Sequence, residues 1–362
     1  MADKILIAGA SGVVGAAAVE AFLREGYEVV ALSRRRPEID STQSFTHLAV
    51  DLQDATASHA ALGALQGVTQ VVYTALYEQP GLIAGWRDTH QMQTNLAMLK
   101  HCLEPLLAAG NPVRHVSLLQ GTKAYGIHLH AIPIPARESS PRDPHANFYW
   151  LQEDYLKALA GTHGFAWTIL RPQLIIGHAY GVAMNLAPVI GAYGALCRAQ
   201  GEPMGYPGGV SWVWEAVDAR LLAKVFVWAG LSPRAAGLHF NVTNGDVFEW
   251  RDLWPELADT LGVAVGPDQP RELKHWLPAH TAQWDALVAK HSLRQVGLPE
   301  LLGESHHYAD FCFAYGASEA PPPAFVSTIR LRQAGFAEVC DTRETFRYWL
   351  NNFIERGILP PR

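Results

Sequence analysis

Residues 4–15 read KILIAGASGVVG, an unbroken apolar run that gives way to glycines at positions 9, 12 and 15. The run lacks the in-and-out alternation of a half-exposed strand, so burial on both faces is expected. Gly9, Gly12 and Gly15 fall where such a strand turns into a helix. Their spacing lets the backbone come close to a pyrophosphate seated on the helix N-terminus. Glycine-rich turns are common in isolation. Immediately behind a first strand, this one predicts a dinucleotide-binding α/β unit.

The same unit repeats along the first half. YEVVALSR (27–34), THLAVD (46–51), QVVYTA (70–75), RHVSLLQ (114–120) and AWTILRP (166–172) read as further buried strands. Between them, AAAVEAFLREG (16–26) and TNLAMLKHCLEPLLAAG (94–110) have helical character and end at glycine, a usual helix stop. Alternating strand and helix predicts a doubly wound parallel Rossmann-type sheet covered on both faces. After about residue 180 the pattern becomes helical and aromatic, in VFEWRDLWPELADTLG (247–262), TAQWDALVAKHSL (281–293) and TRETFRYWLNNFIERG (342–357). One more strand is expected at LHFNVT (238–243), and GASEAPPPAF (316–325) is a local break, because consecutive prolines stop helix and ladder alike. The expected division is a cofactor domain over 1–180 with a returning segment near 212–245. A smaller, mainly helical substrate-binding region over 181–211 and 246–362 would pack over the carboxyl edge of the sheet.

The totals narrow the function. A chain of 362 residues suits one large α/β unit with a cap. Its 28 Lys and Arg against 34 Asp and Glu give a formal charge of -6, which offers no broad basic surface to nucleic acid. No apolar run reaches bilayer length, and the first residues show no basic-then-apolar leader, so no membrane partner is expected. Cys102, Cys197, Cys312 and Cys340 are scattered without a CxxC pair, which points to a reducing cytoplasm rather than a disulfide framework. The pairs His128/His130 and His306-His307 lack an acidic or cysteine partner at ligand spacing, so no metal is expected.

The end of the second strand bears on which dinucleotide binds. NAD binders usually place a carboxylate there for the ribose 2′-hydroxyl. This chain has Ser33-Arg34-Arg35-Arg36 instead. Guanidinium groups bind a 2′-phosphate through charge-assisted hydrogen bonds, so NADP(H) is favoured over the alternative of a solvated basic turn. Asp51-Leu52 ends the third strand, where a carboxylate can accept from the adenine amino group or simply be solvated.

NFYWLQED (147–154) carries a tyrosine placed for chemistry, but Glu153 stands one helical turn beyond Tyr149, where short-chain dehydrogenases usually carry lysine. A positive charge is available elsewhere. Lys123 in GTKAYG (121–126) lies just past the fifth strand's carboxyl end, the edge at which open α/β sheets bind ligands.

GTKAYG, NFYWLQED and RPQLIIG (171–177) together resemble the progesterone 5β-reductase and iridoid synthase family, atypical extended short-chain dehydrogenases that reduce conjugated C=C bonds with NADPH. The resemblance continues through residues 184–208, 239–263 and 346–360, nearly the whole chain. It implies that the loop lysine replaces the helical one. Tyr149 would be the proton donor or enolate-stabilising phenol, and Lys123 the charged neighbour that favours its ionised form. It further assigns cofactor contacts to Ser11, Gly12, Val13, Arg34, Arg35, Asp51, Leu52, Ala75, Leu119, Ile175 and the turn Val182-Ala183-Met184. The family often has two tyrosines in succession, and Trp150 here leaves Tyr149 as the single candidate. Ala75-Leu76 replace a threonine and tryptophan common in plant members, and Ala124 replaces a histidine, so a pocket of another shape is expected.

The expected reaction is 1,4-reduction of a small hydrophobic enone. The alternatives are 1,2-reduction of a carbonyl group and a non-catalytic NADP(H)-sensing protein; a sugar-nucleotide epimerase is disfavoured by the missing helical lysine. Leu76, Met184 and Asn185, with Tyr315, are candidates for the substrate pocket. Trp212, Trp214, Trp250, Trp254, Phe311 and Phe313 could line it too, or be core at helical spacing. The oligomeric state is open, a homodimer being one arrangement the sequence allows.

Overall fold

A computed structural model describes residues 3–79 and 85–362. The chain divides into two units, Met1–Gln173 with Ala219–Thr243 and Val326–Glu338, and Leu174–Asp218 with Asn244–Phe325 and Val339–Arg362.

The first unit is built on a parallel sheet of seven strands. Strands β1 (Lys4–Ala8), β2 (Glu28–Leu32), β3 (Thr46–Leu48), β4 (Val68–Tyr73), β5 (His115–Leu119) and β6 (Ala166–Pro172) are those expected from the apolar runs. The order across the sheet is β3-β2-β1-β4-β5-β6, and Leu238–Val242 adds the last strand beside β6. The order reverses between β1 and β4, which opens a crevice at their carboxyl ends.

Helices α1 (Val13–Arg24), α2 (Ala55–Gly63), α3 (Thr89–Ala108) and α4 (Phe148–His163) connect the strands. Leu6, Ala8, Val71 and Tyr73 share one buried cluster with Leu99, Leu103 and Leu106 of α3 and Leu156 of α4. Side chains alternate along a strand, so Ile5 and Ile7 face the opposite side, where α1 packs on the helix Ala219–Leu231. Both faces are therefore covered, which is why these strands read as continuous apolar runs. Each fully buried leucine contributes about 1.5–3 kcal/mol relative to exposure.

The second unit is mainly helical. Trp250, Trp254 and Phe313 are buried in an aromatic core in which Phe313 lies 4.9 Å from Trp250 and 5.5 Å from Trp254, centroid to centroid. Trp212 and Trp214 pack edge to face at 4.5 Å. These tryptophans follow the core alternative, whereas Phe311 and Tyr315 are exposed. No helix among the described residues is long and apolar enough to cross a membrane.

Candidate active site

The glycine turn has the tightness its spacing predicts. Gly9 adopts a φ of 82°, and a side chain there would also meet the backbone of Ala75 at 2.6 Å. Gly15 lies so close to Gly9 that a Cβ would approach its carbonyl oxygen to 2.1 Å. Gly12 caps α1 without a side-chain hydrogen bond, and the first turn of α1 holds no acidic residue, so its amide groups and partial positive charge are not countered locally. Ser11 and Val13 flank this cap, half-buried.

Beyond β2, the Ser33 hydroxyl donates to the Arg35 carbonyl at 2.6 Å, which fixes the turn. Arg34 and Arg35 are exposed, and among the described residues neither has an ion-pair partner. Arg36 is engaged, its guanidinium 4.3 Å from the centre of the Phe45 ring. One oxygen of Asp51 accepts from the Gln53 amide at 3.0 Å, while Leu52 is buried. Ala75 and Leu119 are half-buried at the ends of β4 and β5, and Leu76 is exposed.

The turn after β5 carries Lys123. Its flanks are pinned: the Thr122 hydroxyl donates to Gln173 Oε1 at 2.9 Å, and Tyr125 donates to Asn241 Oδ1 at 2.7 Å. Tyr149 sits at the start of α4. Asn147 joins the two segments, accepting from the Tyr149 amide at 3.0 Å and donating to the Lys123 carbonyl at 3.2 Å. The aspartate–histidine pair behind it, Asp143 and His145 at 2.6 Å, brings His145 Nε2 to 3.0 Å from the Asn147 amide nitrogen. Trp86 completes the packing. The Lys123 ammonium lies 3.6 Å from the centre of the Trp86 ring, and the Tyr149 ring meets the same indole edge to face at 5.3 Å. The indole N–H donates to Glu78 at 2.8 Å. A Cβ at Gly121 would stand 3.2 Å from the Tyr149 hydroxyl, so glycine leaves the phenol oxygen its room.

Burial dominates the titration of this cluster. It pulls the Lys123 ammonium down to about 8, against the opposing charge of Glu78. It raises the Glu78 carboxyl, with Lys123 and the Trp86 hydrogen bond acting the other way. The Tyr149 phenol is pushed well above its ordinary value, first by burial and then by Glu78, with the charge of Arg171 opposing. This is opposite to the lowering expected of a tyrosine beside a lysine: removal from water and Glu78 dominate, and the one charge that opposes them is that of Arg171. The phenol is thus neutral at physiological pH and able to donate a hydrogen bond.

Glu153 has a separate task. Its buried carboxylate is held by Lys157 at 2.6 Å, Arg142 at 3.0 Å, His239 at 3.1 Å and Arg171 at 3.4 Å. Burial alone would raise this carboxyl, but the bonds to His239, Lys157 and Arg142 hold it below the usual carboxylate range.

The remaining candidates belong to the second unit. Ile175 lies in a short strand paired with Val217. The Val182 carbonyl accepts from the Ser305 hydroxyl at 2.7 Å; Ala183 and Met184 are half-buried. Both amide hydrogens of buried Asn185 are engaged, by the Gly177 and Ala179 carbonyls at 2.8 Å each, while its oxygen caps the helix Leu186–Gln200. Asn185 therefore has a structural role here. Among the described residues no group of three or more His, Cys, Asp or Glu could hold a metal ion.

Residues 46–308 match the PRISE-like Rossmann-fold domain family. The chain belongs to this family. Its PRISE-like relatives include an (S)-8-oxocitronellyl enol synthase of Antirrhinum majus, 26% identical over 98% of this chain and 92% of the relative. The 3-oxo-Delta(4,5)-steroid 5-beta-reductase of Arabidopsis thaliana is 28% identical over 82% of this chain and 79% of its own length. Among solved structures, an epimerase from Methanothermobacter thermautotrophicus superposes with a TM-score of 0.70 at 15% identity, covering 98% of this chain and 94% of that one. The Thermus thermophilus UDP-glucose 4-epimerase in complex with NAD gives 0.64 at 19%, covering 97% and 98%. At such identity these structures share the fold of this PRISE-like chain and carry no argument about its reaction.

Trp86, Glu78, Asn147 and Arg171 escaped the sequence reading. Only the asparagine left a signal there, as a helix-capping residue type directly before NFYW's aromatic run.

Proposed function

We propose that the protein is an NADPH-dependent reductase of activated C=C bonds in α,β-unsaturated carbonyl compounds. The observation that carries this reading is the packing of both Lys123 and Tyr149 against one indole, that of Trp86, beyond the carboxyl end of β5. The names of the relatives, enol synthases and a steroid 5β-reductase, support the substrate class.

The residues present fit a dinucleotide phosphate. The Gly9–Gly15 turn is packed too tightly on backbone for a side chain at either glycine, α1 presents an uncapped N-terminus, and Arg34 and Arg35 lie exposed beyond β2. Bound NADPH would supply a hydride to the β-carbon of the enone. As charge builds on the carbonyl oxygen, the neutral phenol of Tyr149 donates a hydrogen bond to it, a contribution of about 3–4 kcal/mol for one well-placed donor. Lys123 adds a fixed positive charge beside the developing enolate. Protonation of the α-carbon then completes a saturated ketone or aldehyde.

Incubation of the protein with a cyclic enone and either NADPH or NADH tests this reading. The expected product is the saturated ketone, formed faster with NADPH. An allylic alcohol would establish carbonyl reduction instead, and no turnover across small and steroidal enones would favour a sensing role. The replacements Arg34→Ala and Arg35→Ala check the cofactor. Each is expected to raise the KM for NADPH about tenfold, the worth of one charge-assisted hydrogen bond, and to leave the KM for NADH nearly unchanged. An equal effect on both cofactors would return these arginines to a solvated turn.

A further inference from the structure

The carboxylate one helical turn beyond Tyr149 stands where related folds carry a lysine, and it is buried rather than solvated. What it holds is an arginine from a neighbouring strand. Arg171, the penultimate residue of β6, is 5% exposed. Its Nη2 lies 3.4 Å from Glu153 Oε2, and its Nε donates to Gln120 Oε1 at 3.1 Å. Gln120 in turn donates from Nε2 to the Tyr149 carbonyl at 3.2 Å, and its own amide bonds the Leu170 carbonyl at 2.8 Å. The next residue is Gly121, the one beside the phenol oxygen.

We infer that Arg171 is a positioning residue for Tyr149, fixed by Glu153 and acting through Gln120 on the first turn of α4 and on the Gly121 turn. The inference rests on Tyr149 being the reacting phenol. A guanidinium suits this place because its planar fork donates in two directions at once, to an amide oxygen and to a carboxylate, which a lysine ammonium on a flexible stem does less rigidly. The guanidinium is further confined between two rings, 5.2 Å from the centre of Tyr125 and 5.7 Å from that of Trp150. Its charge is also the one that opposes the upward pull of burial on the phenol.

The test compares Arg171→Met, Arg171→Lys and Gln120→Leu with wild type in enone reduction by NADPH. Glu153 keeps Arg142, Lys157 and His239 when Arg171 is replaced, so the carboxylate does not become unpaired. Arg171→Met is expected to lower kcat about 100-fold, the effect of a misplacement near 1 Å, with the KM for NADPH unchanged. Arg171→Lys is expected to recover part of that loss. Should Arg171→Met fail to fold, Gln120→Leu, which cuts the link and keeps the buried charge pair, carries the same expectation of lowered kcat with intact cofactor KM. Wild-type kcat in Arg171→Met or in Gln120→Leu would overturn the inference, as would a loss that Arg171→Lys leaves untouched and that follows melting temperature alone. Lack of turnover by the wild type in the same assay would instead overturn the proposed reaction.

Discussion

Replacing Tyr149 with phenylalanine is expected to lower kcat about 100- to 1,000-fold, the loss that follows removal of one donor to a developing oxyanion, while NADPH binding stays intact. The ring itself is structural. It packs on Trp86 at 5.3 Å and on Phe148 at 4.7 Å, and phenylalanine preserves both contacts. Only the hydroxyl is lost, from the space kept open by Gly121. Because burial and Glu78 raise the phenol's pKa, the wild-type group is protonated at neutral pH and able to donate without any change of charge. Trp150 follows Tyr149, so no second phenol stands next in sequence to take over the role. Steady-state kinetics with a cyclic enone and a fluorescence titration of NADPH measure the two effects separately. Unchanged turnover would remove Tyr149 from the mechanism; weakened NADPH binding equal to the loss in turnover would make it a cofactor contact.

The fold was legible because the inner strands β1, β2, β4, β5 and β6 are mostly buried and so leave apolar runs. By contrast β3, also read as a buried strand, lies at the sheet edge with none of its residues buried. The glycine spacing was legible for a related reason, since Gly9 and Gly15 answer backbone contacts from which any side chain is excluded. Tyr149 and Lys123 stood out as chemistry-bearing residues at loop and helix starts. What the sequence could not reveal was the medium around them. Trp86 and Glu78 come from the segment before α3 and meet the lysine and tyrosine only in space. Burial and then the charge of Glu78 turn the expected lowering of the phenol's pKa into a rise. Glu153 looked like a missing lysine, and its meaning emerges only when Arg142, Lys157, Arg171 and His239 converge on it from four places in the chain. The aromatic-rich second half illustrates the converse: Trp250 and Trp254 have the residue type of a pocket and the burial of a core.

Lys123→Met is expected to abolish most turnover and, at the same time, to stabilise the fold. Lys123 is half-buried, and removal of its ammonium from water lowers the pKa from an ordinary 10.5 to about 8. The unfolded chain therefore holds this proton more tightly than the folded one. Between about pH 8 and 10.5 the unfolded state carries the extra proton, so the charge's penalty is full below pH 8 and is relieved as pH rises through that window. At about 1.4 kcal/mol per pKa unit the penalty at neutral pH is about 3 kcal/mol. Methionine removes it and keeps the apolar stem, losing in exchange the contact of the ammonium with Trp86, worth about 0.5–2 kcal/mol. A net gain of about 1–2 kcal/mol at pH 7 is expected from these two terms, and the gain should shrink by pH 10, where the wild-type lysine is neutral when folded. Urea unfolding of both proteins at the two pH values measures the gap. A variant less stable than wild type at pH 7 would mean that Lys123, Glu78 and Trp86 form a net stabilising charge cluster. On the proposed reading, what the Lys123 charge would serve instead is the developing enolate.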